Sequence, residues 1–103
     1  MLKTLLFREI RYNDNIEDEL ARNEEELKKD SNNIELLQNV AAIYHALRKN
    51  VEAIEIYEKI VKLRPQDHEM RAFLGYLYYE NEELEEAEKH LNESLNLNPM
   101  EPF

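Results

Sequence analysis

The sequence predicts an all-α fold in which antiparallel helix pairs stack as a solenoid, and three observations lead there. Apolar residues recur at three- and four-residue intervals along nearly the whole chain. One glycine and three prolines among 103 residues leave little material for turns. The third observation is a repeat. Pro65 and Pro99 lie 34 residues apart, and the same offset lays Glu35 on Glu69, Tyr44 on Tyr78, Glu52 on Glu86, Ala53 on Ala87 and Leu63 on Leu97. Val40 then falls on Leu74 and Ala41 on Gly75. One helix pair cannot bury its apolar face alone, so a period of this length implies that neighbouring pairs stack.

The apolar spacing and the breaks between stripes predict helices near 2–12, 16–29, 34–48, 52–63, 68–81 and 84–97. Ile16, Leu20 and Leu27 form a narrow stripe, whereas Leu36, Leu37, Val40, Ala41, Ile43, Tyr44 and Leu47 form a wide one. Helix starts carry the expected chemistry, a short polar side chain that caps free amides with an acid close behind it. "DNIE" at 14–17 has capping-box spacing, and "NIE" at 33–35 and "DHE" at 67–69 repeat the idea.

Charge and composition exclude several functions. Acidic side chains outnumber basic ones by 23 to 13, for a formal net charge of -10, which repels phosphate; no nucleic-acid or anionic membrane partner is expected. With no cysteine there is neither a disulfide framework nor a thiolate metal site, and a reducing compartment is the default. A hydrophobic content of 43% supplies enough apolar material to offset chain entropy despite 35% charged residues, so the chain is expected to fold. The opening "MLKTLLFREIRY" does not read as a leader, because Arg8 and Glu9 interrupt the apolar run at once. Cytoplasmic localisation is the expectation.

Residues 34–99 resemble the tetratricopeptide repeat family. One unit supplies Leu37, Val40, Ala41, Tyr44, Ala53, Tyr57 and Pro65, with Ile60 in place of the family's later alanine. The next supplies Leu74, Gly75, Tyr78, Ala87, Leu91 and Pro99, and departs from the pattern at Arg71 and Ser94. Residues 1–33 are read as a degenerate first helix pair, with Glu19 in the slot of the small alanine and Ser31 in that of the proline. The resemblance implies a right-handed solenoid of about three repeats in a single domain: 1–33, then 34–67 and 68–99, and a tail at 100–103. In that arrangement Gly75 and Ala41 face Ala87 and Ala53, so the glycine's helix cost of about 1 kcal/mol is recovered by close packing.

The resemblance also implies a function, the binding of a peptide or another protein in a concave groove lined by the first helix of each repeat. That groove maps to Glu35, Gln38, Asn39, Ala42 and His45 in the middle unit and to Glu69, Ala72, Phe73, Tyr76, Tyr79 and Glu80 in the last. Tyr76 and Tyr79 share a helix face, while Tyr78 is expected to point into the core. Tyrosines offer a large contact area with little loss of entropy. The acidic edges favour a basic or apolar partner. Some family members clamp the C-terminal carboxylate of chaperones. Asn39 matches one clamp asparagine, but Glu69 and Phe73 stand where basic residues are needed, so such tails are not expected to bind.

No cofactor, metal or catalytic activity is expected. "ENEELEEAEKH" lacks the alternation and central glycine of a calcium loop, and His45, His68 and His90 lack ligand spacing. The alternative to groove binding is structural self-association into a homo-oligomer through an N-terminal apolar edge of Leu2, Leu5, Leu6, Phe7 and Ile10. Finally, Ile54, Ile56 and Ile60 of one unit become Glu88, His90 and Ser94 in the next, a change expected to give the array a polar end, over which Met100 and Phe103 fold.

Overall fold

The computed structural model describes residues 2–98, with side chains described from residue 15 onward. Five helices follow one another: α1 (Leu2–Lys29), α2 (Ile34–Ala46), α3 (Asn50–Leu63), α4 (His68–Glu80) and α5 (Leu84–Leu97). Each packs against its neighbours in the chain and against no other helix backbone, which is the connectivity of a solenoid. The fold is all-α, as the periodicity predicts. None of the described helices is long and apolar enough to cross a membrane.

The 34-residue offset governs the backbone as well as the side chains. Shifting α2 and α3 by that number reproduces both ends of α4 and α5. Asn33 and Asp67 cap equivalent helices: Asn33 Oδ1 accepts the Leu36 N–H at 3.0 Å, and Asp67 Oδ1 accepts those of Glu69 and Met70 at 3.1 Å. Between paired helices the Lys49 N–H reaches Tyr44 O at 2.8 Å, and the Glu83 N–H reaches Tyr78 O at 2.9 Å. These bonds close the turn only if the residue before the donor is left-handed. Arg48 (φ 63°) and Glu82 (φ 62°) fill that position.

A residue with a Cβ is strained in this conformation. Arg48→Gly and Glu82→Gly are each expected to stabilise the fold by about 1 kcal/mol. A thermal melt checks this, with a rise of about 4–8 °C per substitution expected. A fall would mean that the side chains contribute more than the strain costs.

The core comprises Leu37 and Ala41 of α2, Ala53, Ile54, Tyr57, Ile60 and Val61 of α3, and Leu74 and Leu77 of α4. Tyrosine hydroxyls tie each repeat to the one before. Tyr44 donates to Glu24 at 2.7 Å, and Tyr78, the same residue 34 positions later, donates to Glu58. The Glu24 acceptor pushes the Tyr44 pKa up to about 12, so its hydroxyl stays a donor. For Tyr78, burial and then Glu58 raise it further. Tyr78 also stacks on His90, centroids 5.3 Å apart, which places it inside, as its register predicts.

The N-terminal third differs in geometry from the two later helix pairs. The helices expected near 2–12 and 16–29 are both present, joined without a loop across a kink at Asn15 (φ -123°, ψ 22°), whose geometry is not helical. Asn15 holds the same repeat position as Lys49 and Glu83, the residues at which the later units begin their second helix. The later half of α1 nevertheless behaves as a second helix. It ends 34 residues before α3 does, and Glu24 meets Tyr44 as Glu58 meets Tyr78. What differs is the face a first helix would cover. Ala53 and Ile60, both fully buried in α3, correspond to Glu19 and Glu26 in α1. A helix packed closely on that face would desolvate two carboxylates, which disfavours a tight first hairpin there.

The C-terminal end also departs from expectation. His90 and Ser94 were expected to make the array's end polar, yet both are buried. They face α4 rather than the end of the array. Ser94 donates to His68 O at 2.7 Å, and Arg71, in a slot usually apolar, pairs with Glu93 at 2.9 Å. Polar groups thus replace an apolar seam inside the last hairpin, and Glu88 is the one substitution of the three that reaches solvent. Met100 and Phe103, expected to cover Leu95, lie outside the described residues, as do the side chains of Leu2, Leu5, Leu6, Phe7 and Ile10.

Candidate functional site

Helices α2 and α4 stand in parallel register one repeat apart, with α3 behind them. No Cα of one comes within 8 Å of the other, so only side chains bridge the space between. The repeat offset aligns Glu35 with Glu69, Gln38 with Ala72, Asn39 with Phe73, Ala42 with Tyr76 and His45 with Tyr79. Glu35, Asn39, Ala42, Glu69, Tyr76, Tyr79 and Glu80 are exposed, whereas Gln38, His45, Ala72 and Phe73 are half-buried.

Four of these residues come together. The His45 ring meets Phe73 and Tyr76 edge-on, at centroid distances of 6.2 and 6.1 Å. Phe73 lies 5.8 Å from Tyr76 and is backed by Tyr57 at 4.8 Å, so its position is fixed from the core side. Glu80 closes the group: its Oε2 accepts the Tyr76 hydroxyl at 2.7 Å, and its Oε1 lies 2.5 Å from His45 Nε2. Below them, the Gln38 amide donates to Met70 Sδ at 3.3 Å.

This geometry fixes the charge states of Glu80 and Tyr76. The Tyr76 hydroxyl, and after it His45, hold the Glu80 carboxyl below the usual carboxylate range, while Glu80 in turn raises Tyr76. Glu80 is therefore an anion and Tyr76 a neutral donor over a wide pH range. The result is a preorganised patch of three aromatic or imidazole rings edged by one fixed carboxylate. It can stack on apolar groups and accept hydrogen bonds from cationic ones.

The other expected residues stand outside this cluster. Glu35, Asn39 and Ala42 lie along α2, Glu69 at the start of α4 and Ala72 within it, and Tyr79 projects with 61% of its surface exposed against 42% for Tyr76. Sequence reasoning missed Tyr57, assigned only to the core, and Arg48 and Asn50. With His45, Ala46 and Glu80, the last two line an open cavity of about 410 Å³ where the wall meets the α2–α3 turn. Their signal is the left-handed turn at Arg48, which no glycine marks. Among the described residues no group of His, Asp and Glu is placed to hold a metal ion.

Comparison with known proteins adds two likenesses. Residues 44–102 match the sequence profile of the family described as tetratricopeptide repeat. The chain is also similar to the anaphase-promoting complex subunit CDC16 of Saccharomyces cerevisiae, with 32% identity over 66 residues. That match covers 64% of this chain and 8% of the yeast protein, so the chain corresponds to a small part of it.

Proposed function

Because the chain belongs to the tetratricopeptide repeat family, we propose that it is a non-catalytic interaction module that takes a peptide or a segment of another protein along the wall formed by α2 and α4. Repeats of this family are in general protein–protein interaction modules. The observation that supports this surface is the His45–Phe73–Tyr76–Glu80 cluster, in which rings from two repeats, unlinked by backbone, converge beside a fixed carboxylate. Exposed Glu35 and Glu69 extend the negative edge, which favours a basic or apolar partner. The yeast relative is by its name a subunit of a complex, in keeping with a role in assembly. In this reading residues 34–67 and 68–99 are the two full repeats. Residues 1–33 are a degenerate first unit whose second half closes the array on α2.

Recovering the partner by affinity capture and then titrating it against Tyr76→Ala and Tyr79→Ala tests the proposal. Tyrosines that anchor an interface cost about 2 kcal/mol or more on truncation, so each variant is expected to bind roughly 30-fold more weakly with its circular dichroism unchanged. Full affinity in both folded variants would place recognition elsewhere. The alternative, structural self-association into a homo-oligomer, belongs to the N-terminal apolar edge of Leu2, Leu5, Leu6, Phe7 and Ile10.

A further inference from the structure

The wall of α2 and α4 is acidic, with little to neutralise it. Helix α2 has no lysine or arginine, and the one arginine of α4, Arg71, is turned toward α5, where it pairs with Glu93 at 2.9 Å. The acids of the wall are Glu35 and Glu69, at the starts of the two helices, and Glu80 at the end of α4. Of these three, Glu80 is the one held in place, since its two oxygens meet the Tyr76 hydroxyl at 2.7 Å and His45 Nε2 at 2.5 Å.

A carboxylate oxygen can accept two hydrogen bonds, so each oxygen of Glu80 keeps one acceptor position. A third of the side-chain surface of Glu80 is open to solvent, beside the open cavity of about 410 Å³ at the α2–α3 turn. Two remaining acceptor positions on one immobilised carboxylate match the two parallel N–H groups of a guanidinium, and exposed Tyr76 offers aromatic surface for its plane. An ammonium would use one point of this arrangement, and an apolar side chain would leave the carboxylate unmatched.

We infer that the partner bound along the α2–α4 wall inserts an arginine side chain into this cavity, its guanidinium paired with Glu80 beside the Tyr76 ring. The inference rests on the reading of that wall as the binding surface. Arg48 lines the same cavity and forms no ion pair among the described residues. Its like charge lowers the affinity for an incoming cation, which makes its removal diagnostic: a cationic occupant gains and an anionic one loses.

The test is an NMR titration of the full chain, read at the Tyr76 and His45 ring signals, with the blocked tripeptide leucyl-arginyl-leucine and its citrulline counterpart, which keeps the shape of arginine without its charge. The arginine peptide is expected to bind with a Kd in the millimolar range, and the citrulline peptide about fivefold more weakly. Glu80→Gln is expected to erase that difference with its circular dichroism unchanged, and Arg48→Gly to strengthen binding of the arginine peptide roughly twofold. Equal affinity for the two peptides, an arginine preference that survives Glu80→Gln, or weaker binding to Arg48→Gly would each overturn the inference. So would ring signals that stay in place up to about 10 mM peptide. Any of these results beside a captured partner that still needs Tyr76 removes the arginine and leaves the wall its role, whereas a partner indifferent to both Tyr76→Ala and Tyr79→Ala removes the two together.

Discussion

Gly75→Leu is expected to destabilise the fold by about 3 kcal/mol, the upper end for overpacking. A Cβ built at Gly75 lies 2.9 Å from Leu91 Cγ, 3.0 Å from Leu91 Cδ2 and 3.2 Å from the Ala87 carbonyl oxygen. The leucine side chain of Leu91 has one face in solvent and can swing; the Ala87 oxygen belongs to the α5 backbone and can move only if the hairpin opens. A full leucine side chain therefore separates α4 from α5. The measurement is a thermal or urea melt, with a loss of roughly 12–24 °C expected for a domain of this size. A melting temperature equal to the parent's would show that the two helices do not need this approach. Gly75→Ala separates packing from propensity. Alanine gains about 1 kcal/mol as a helix former and loses a similar amount in contact, so that variant is expected to stay within about 1 kcal/mol of the parent.

Leu77→Ala is expected to cost about 2–5 kcal/mol, measured by urea unfolding, with a lowered midpoint and an unchanged slope. Leu77 is fully buried and belongs to the core cluster that joins α2, α3 and α4. Deleting its side chain leaves a cavity between repeats, not merely within one hairpin. In a short array each interface is a large share of the total, and small domains hold only about 5–15 kcal/mol in all. A cost below about 1 kcal/mol would mean that the neighbouring helices collapse into the space, as they do where packing is loose.

Much of the repeat was legible because the features that mark it are local. Asn33 and Asp67 cap the helices they precede, and α4 and α5 begin where the polar breaks place them. Gly75 requires the close approach its register implies, though the nearest neighbour is Leu91 rather than Ala87. The left-handed turns were not legible. Arg48 and Glu82 carry no glycine or asparagine, and only the Lys49 and Glu83 amide bonds reveal the conformation. His90 and Ser94 were misplaced because a polar residue on a helix reads as exposed, although in α5 His90 stacks on Tyr78 and Ser94 donates to the His68 carbonyl oxygen, both of α4. Of the eleven positions expected to line a groove, the sequence did not reveal that four would meet one another.

The sequence by itself determined the period, the helical class and the family, since apolar spacing, caps and prolines act within a few residues and repeat every 34. Only the tertiary structure decided which polar residues lie inside, how α1 continues past Asn15, and that His45 reaches Glu80 across two repeats. The physical reason is the range of the interactions. Propensity and capping are settled between neighbours in the chain, whereas the burial of a charge or a ring depends on which helix arrives from 20 to 35 residues away.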